Sequence, residues 1–157
     1  MIMGTNYFWF TEFLHLVTAL GVISWFKYTY KKTNIWLCIM IGLGFGFFID
    51  IDHVIDYAMY FLSNGHYFTL TEFIRGGYFE TNRRIYVLFH AWEFVIILWL
   101  VYKLLSLRYK KDNRINLLLL AALAILGHLV VDQLTNGVSP LFYFISYRAI
   151  NGFGLNI

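Results

Sequence analysis

The stretch Phe47-Phe48-Ile49-Asp50-Ile51-Asp52-His53-Val54-Ile55-Asp56 constrains this chain more than any other. It places four ionisable groups, Asp50, Asp52, His53 and Asp56, at the end of a long apolar run. In a bilayer an isolated charge is expensive, so such groups must pair, bind a cation or lose their charge. Three other apolar runs carry polar intrusions of their own: His15 in the first, His90 and Glu93 in the third, His128 and Asp132 in the fourth. The expectation is that these residues converge on one metal site between membrane helices.

Composition supports the membrane part of that expectation. Of 157 residues, 60% are hydrophobic and 13% charged, against roughly 25% charged in a soluble domain. The predicted protein is integral to a membrane and forms a single domain over 1–157. The single cysteine, Cys38, excludes an intrachain disulfide framework and a multi-cysteine zinc site. The 21% aromatic share suits interfacial Trp and Tyr belts. No basic stripe with interleaved aromatics suggests nucleic acid, so the expected partner is membrane lipid. The N-terminus has no basic segment before its apolar run, which therefore reads as a retained helix and not a removed signal.

Apolar runs predict helical spans over about 7–26, 35–62, 85–105 and 115–134, set against the ~20 residues that cross the hydrocarbon. The second is longer than crossing requires. Within it, Gly42-x-x-x-Gly46 permits close approach of a neighbouring helix. Thr69 with Glu72 forms a capping-box pattern before Leu70, Phe73 and Ile74, the apolar face of a short interfacial helix that Gly76-Gly77 would end. The tail from Leu141 to Ile157 is too short for a further span and is placed along the interface. The predicted fold is thus all-α, a four-helix membrane bundle with an interfacial loop helix and an interfacial C-terminal segment. Lys27, Lys31, Lys32, Lys103, Arg108, Lys110, Lys111 and Arg114 follow the first and third runs. Arg75, Arg83, Arg84 and Arg148 lie on the other side. The positive-inside rule then puts both termini outside the cytoplasm.

This topology brings the ionisable groups to one layer. Counting ~1.5 Å per residue, His15 lies roughly 12 Å below the outer end of its run, His90 and Glu93 roughly 8 and 12 Å, and His128 roughly 10 Å. Asp50, Asp52 and His53 end the second run near the same level. His128 and Asp132 at i, i+4 share a helix face, as do His90 and Glu93 at i, i+3. Asp50 and Asp52 differ by roughly 200° on a straight helix. Either two ions are bound, or one Asp orients a histidine. Imidazole and carboxylate donors suit zinc, and also manganese or iron(II). Glu93, or an Asp not bound to metal, is the candidate proton acceptor. Arg83 and Arg84 are candidates for holding an anionic head group or phosphate. His66 and Asp56 are placed in solvent and at the interface.

Four elements in order, namely the N-terminal histidine, Asp50-Ile51-Asp52-His53, His90 after Arg83-Arg84, and Gly127-His128-Leu129-Val130-Val131-Asp132 followed by Thr135-Asn136-Gly137, resemble the membrane-bound metal-dependent hydrolase family. These are small prokaryotic inner-membrane proteins distantly similar to zinc-dependent phospholipase C-like enzymes. The resemblance covers most of the chain and implies His15, Asp50, Asp52, His53, His90, His128 and Asp132 as metal-site positions. The third block here lacks the family's first histidine and its serine, so either a ligand or proton-transfer group is missing or Glu93 replaces it. Together these readings predict a divalent-metal-dependent hydrolase of the prokaryotic cytoplasmic membrane. Its site would hold zinc first among the candidate metals, with Asp50 and Glu93 in catalytic roles and His15, Asp52, His53, His90, His128 and Asp132 on metal. The substrate would be an ester or phosphoester, lipid-linked and reached from the outer leaflet. The competing expectation is a non-enzymatic ion or proton carrier, or a metal-stabilised structural bundle. The apolar inner half of the helices weighs against a carrier.

Overall fold

Long apolar stretches without proline form most of the elements of this chain. The structure is a computed structural model and describes residues 5–64, 67, 69–75, 86–109, 112–136 and 138–153. In order they form α1 (Thr5–Thr29), α2 (Ile35–Gly46), a 3-10 turn (Phe48–Asp50), α3 (Ile51–Asn64), α4 (Leu70–Arg75), α5 (Trp92–Arg108), α6 (Asn116–Thr135), a second 3-10 turn (Pro140–Tyr143) and α7 (Ile145–Ile150). No strand occurs among the described residues.

Helix α6 is central, packing against α1, α2 and α5, while α1 also packs on α2. Small residues set how close they come. Gly42 and Gly46 are both buried; a Cβ on Gly42 would overlap the Ile23 side chain of α1. A Cβ on Gly46 would sit 3.0 Å from Ala19 Cβ of α1 and 3.4 Å from Ala124 Cβ of α6. At the basic end, Asn34 caps α2 by accepting the Trp36 N–H at 2.8 Å, which satisfies a backbone donor the helix leaves open. Lys27 Nζ donates to the Lys31 and Thr33 carbonyls at 2.6 Å each and closes the connection.

Among the described residues two helices, at Phe8–Thr29 and Asn116–Thr135, are long and apolar enough to cross a membrane. The expected single span over 35–62 is instead a helix pair bent by 49°. The break falls at Phe47, just after three glycines in five residues lower helix propensity. The expected start of the third span is also displaced: residues 86–91 are not helical, and α5 begins at Trp92 and continues to Arg108. Residues 86–91 are held by side chains in place of helical hydrogen bonds, as described below. The short helix read from Thr69 and Glu72 is α4. Its carboxylate accepts from the Tyr57 hydroxyl at 2.9 Å, and that hydroxyl accepts the Thr69 N–H at 3.2 Å. Gly76-Gly77 and His66 lie outside the described residues. The C-terminal segment does not simply lie along the surface. Tyr143 packs with Ile49, Ile125 and Leu129, and Arg148 is 2% exposed.

Burial is inverted relative to a water-soluble domain. His15, Asp52, Asp56, His90, His128, Asp132 and Arg148 are buried, while Trp9, Phe13, Trp36, Met40, Ile51, Ile55, Met59 and Leu104 are exposed. On α3 this is visible within one helix: Asp52 and Asp56 face in, and Ile51, Val54 and Ile55 face out. An apolar exterior around an interior that includes a layer of ionisable groups is the arrangement a hydrocarbon environment favours.

Candidate metal centre

Five segments deliver the site. Helix α1 supplies His15, the 3-10 turn Asp50, α3 Asp52 and His53, the segment before α5 His90, and α6 His128 and Asp132. On α6 the i, i+4 spacing puts His128 and Asp132 on one face, with Nε2 to Oδ2 3.5 Å. The break after α2 frees the Gly46 carbonyl, which lies 3.3 Å from His128 Nδ1. It also turns Asp50 into the bundle, where its Oδ1 lies 2.9 Å from His90 Nε2 and 3.5 Å from both His53 Nε2 and His128 Nε2. Asp50 Oδ2 faces His15 Nδ1 at 3.9 Å. Asp132 spans the same two sides: Oδ1 is 3.4 Å from His15 Nε2, and Oδ2 is 3.7 Å from His90 Nε2.

Among the described residues three overlapping groups have donor atoms within 4.8 Å of one another: His15, Asp50 and His128; Asp50, His53 and His90; His90, His128 and Asp132. Buried His and Asp groups so arranged can hold a metal ion. The donor set fits a borderline divalent cation, since it combines four imidazoles and two carboxylates. Asp50 Oδ2 adds a direct sign of fit, being a buried oxygen without a hydrogen-bond partner. The imidazoles also crowd one another, His15 Nδ1 lying 2.5 Å from His128 Nδ1 and His128 Nε2 3.0 Å from His90 Nε2, so ring nitrogens from three segments face a common centre that a cation can share. The site is not sealed: the Asp50 and His53 side chains are 23% and 27% exposed, whereas His128 is fully buried.

Around these donors lie the groups that hold them. Asp52 is in none of the three groups. Its Oδ2 accepts the Phe89 N–H at 2.7 Å and lies 3.2 Å from His90 Nδ1, so it orients His90, whose Nε2 faces the other donors. Asn136 Nδ2 donates to Asp132 Oδ1 at 3.1 Å. Asp50, expected in a catalytic role, thus stands among the candidate donors, and Asp52, expected on metal, lies behind His90.

Glu93 stands apart. Its Oε1 accepts the Ser146 N–H and hydroxyl at 2.9 and 2.8 Å, which ties α5 to α7. Because residues 86–91 are not helical, the expected i, i+3 pairing of His90 and Glu93 on one helix does not form. Arg83 and Arg84 lie outside the described residues. Asp56, expected at the interface, is buried and accepts the Tyr86 N–H at 2.8 Å.

Two residues the sequence reading passed over belong here. Glu12 is half-buried one turn before His15 and within electrostatic reach of Asp50, His128, Asp132 and His90. An acid three residues before a histidine in an apolar run was the available signal. Arg148 is buried with its guanidinium on the Val87 and His90 carbonyls, the latter at 3.2 Å. Burial lowers its pKa from the usual range, against the pull of Asp52, Glu93 and Asp56. A lone arginine in an aromatic tail carried no sequence signal for that role. No protein-family model, curated protein or solved structure matches the chain.

Proposed function

We propose that this chain is a divalent-metal-dependent hydrolase embedded in a prokaryotic cytoplasmic membrane, with its termini outside the cytoplasm. The observation that carries this reading is the set of overlapping His/Asp groups, drawn from five segments to one partly open layer. The resemblance of Asp50-Ile51-Asp52-His53 and of His128 to Asp132 to the membrane-bound hydrolase family supports it further. In this reading α1, α5, α6 and the bent α2–α3 pair (49°) form the membrane-spanning bundle, and the two helices long and apolar enough to cross a membrane support it. In this reading His15, Asp50, His53, His90, His128 and Asp132 hold the metal, zinc first among the candidates, and Asp52 fixes His90. A bound divalent ion supplies Lewis acidity and activates water near neutral pH.

The substrate is an ester or phosphoester carried on a lipid, entering past the exposed edge at Asp50 and His53. Arg83 and Arg84 remain the candidates to hold its anionic group. Glu93 is engaged by Ser146; Glu12, half-buried on α1 one turn before His15 and within electrostatic reach of the donors, is the proton acceptor in this reading. The test is hydrolysis by detergent-purified, metal-loaded protein against chromogenic phosphodiesters, carboxylic esters and phospholipids. The expected result is metal-dependent turnover that Glu12→Gln abolishes while keeping its metal. A metal-replete protein that cleaves none of these, and that melts at lower temperature once stripped, is a metal-stabilised bundle.

A further inference from the structure

Residues 86–90 are non-helical chain, bent at Leu88 and Phe89, inside a helical molecule. At membrane depth such backbone persists only where protein groups satisfy its N–H and C=O atoms. Asp56 Oδ1 takes the Tyr86 N–H at 2.8 Å, and Asp52 Oδ2 takes the Phe89 N–H at 2.7 Å, both from α3. The two carbonyls are taken from the opposite direction in sequence: Arg148 Nη1 donates to Val87, and Nη2 to His90 at 3.2 Å. One planar guanidinium therefore bridges two carbonyls three residues apart, and one of them is that of His90 itself. A fork with two fixed donors can set such a spacing, whereas a lysine ammonium can serve one site well but not both.

Arg148 is in turn fixed in place. Helix α7 is bound to the start of α5 through Ser146 and Glu93, and Phe153 lies 5.3 Å from the Tyr86 ring, centroid to centroid. The chain reaches that ring through left-handed turns at Gly152 and Phe153, with φ of 62° and 58°.

The geometry points to Arg148 as a positioning residue: the C-terminal segment is a latch whose guanidinium holds residues 87–90 in the register that presents His90 to the metal donors. The inference rests on the metal reading above. It differs from a general packing role because it acts on one ligand, through its backbone.

The test uses the full-length protein in detergent, with cobalt(II) as the probe, in wild type, Arg148→Ala, Arg148→Lys and His90→Ala. Arg148→Ala is expected to bind cobalt about 10–100-fold more weakly, the usual scale for losing an orienting partner. Its ligand-field spectrum should move toward that of His90→Ala, and millimolar guanidinium should restore the wild-type spectrum. Arg148→Lys should fall between. Folded Arg148→Ala with wild-type affinity and spectrum overturns the latch. If Arg148→Ala does not fold, Arg148→Lys decides by the same spectrum. If wild type takes up no cobalt, the metal reading fails, and the latch is judged by amide exchange at Phe89 and His90. Faster exchange in the arginine variants supports it; unchanged exchange rejects it.

Discussion

The two ends of the bundle use the same helices in different ways. Toward the basic loops, α1, α2 and α6 meet through Ile23, Phe26, Cys38 and Leu120, an apolar cluster drawn together by Gly42. At the other end, the same three helices bring His15, the Gly46 carbonyl and His128 together. Where the contacts are apolar, the helices run unbroken and small residues decide the fit. Where they are ionisable, regular structure stops twice, at Phe47 and across 86–91. Both interruptions carry a donor, Asp50 in one case and His90 in the other. The difference teaches that the irregular backbone belongs to the site. A carboxylate or imidazole aimed at a shared centre takes precedence over the helical ladder, and other side chains then satisfy what the ladder gave up.

The comparison is broken most severely by His128→Ala. It removes a fully buried donor shared by two of the three groups, so bound metal should fall close to zero on elemental analysis. The apolar end should remain intact by circular dichroism. Next, Asp52→Asn should leave all donors in place yet lower metal affinity about 10–100-fold, because His90 loses its orienting carboxylate. Competition with a chelating dye measures this.

Gly42→Ala inverts the pattern. Overpacking against Ile23 should cost about 1–3 kcal/mol in unfolding, with metal content unchanged. Glu93→Gln is the mildest change. Loss of a charged acceptor for Ser146 should lower stability by about 1 kcal/mol and leave metal uptake at the wild-type level. If Glu93→Gln stripped the metal, the separation drawn between Glu93 and the donors would be wrong.

The layer of ionisable residues was legible in the sequence because a counting argument requires only helices of known rise, and His15, His128 and Asp132 do sit on continuous helices. Gly42 and Gly46 were legible because small residues at i, i+4 mark a face where another helix can come close. The roles of Asp50 and Asp52 were not, since a 200° separation says that they differ without saying which joins the donors. That choice follows from the break at Phe47, whose cost depends on contacts with α6. The start of α5 was misjudged because 85–91 is as apolar as the helix that follows. Its partners, Asp52, Asp56 and Arg148, are far away in sequence. Arg148 was counted only for topology, as local pattern cannot place an arginine against a carbonyl some sixty residues earlier.

The most direct test of the account is elemental analysis of the detergent-purified protein, beside His128→Ala and Asp132→Ala. The account predicts one or two equivalents of a divalent transition metal in wild type, lost in both variants while both remain folded. Wild-type protein that holds no metal, and takes none up when zinc, manganese or iron(II) is supplied, would contradict it. The His/Asp layer would then be a set of interhelical hydrogen bonds.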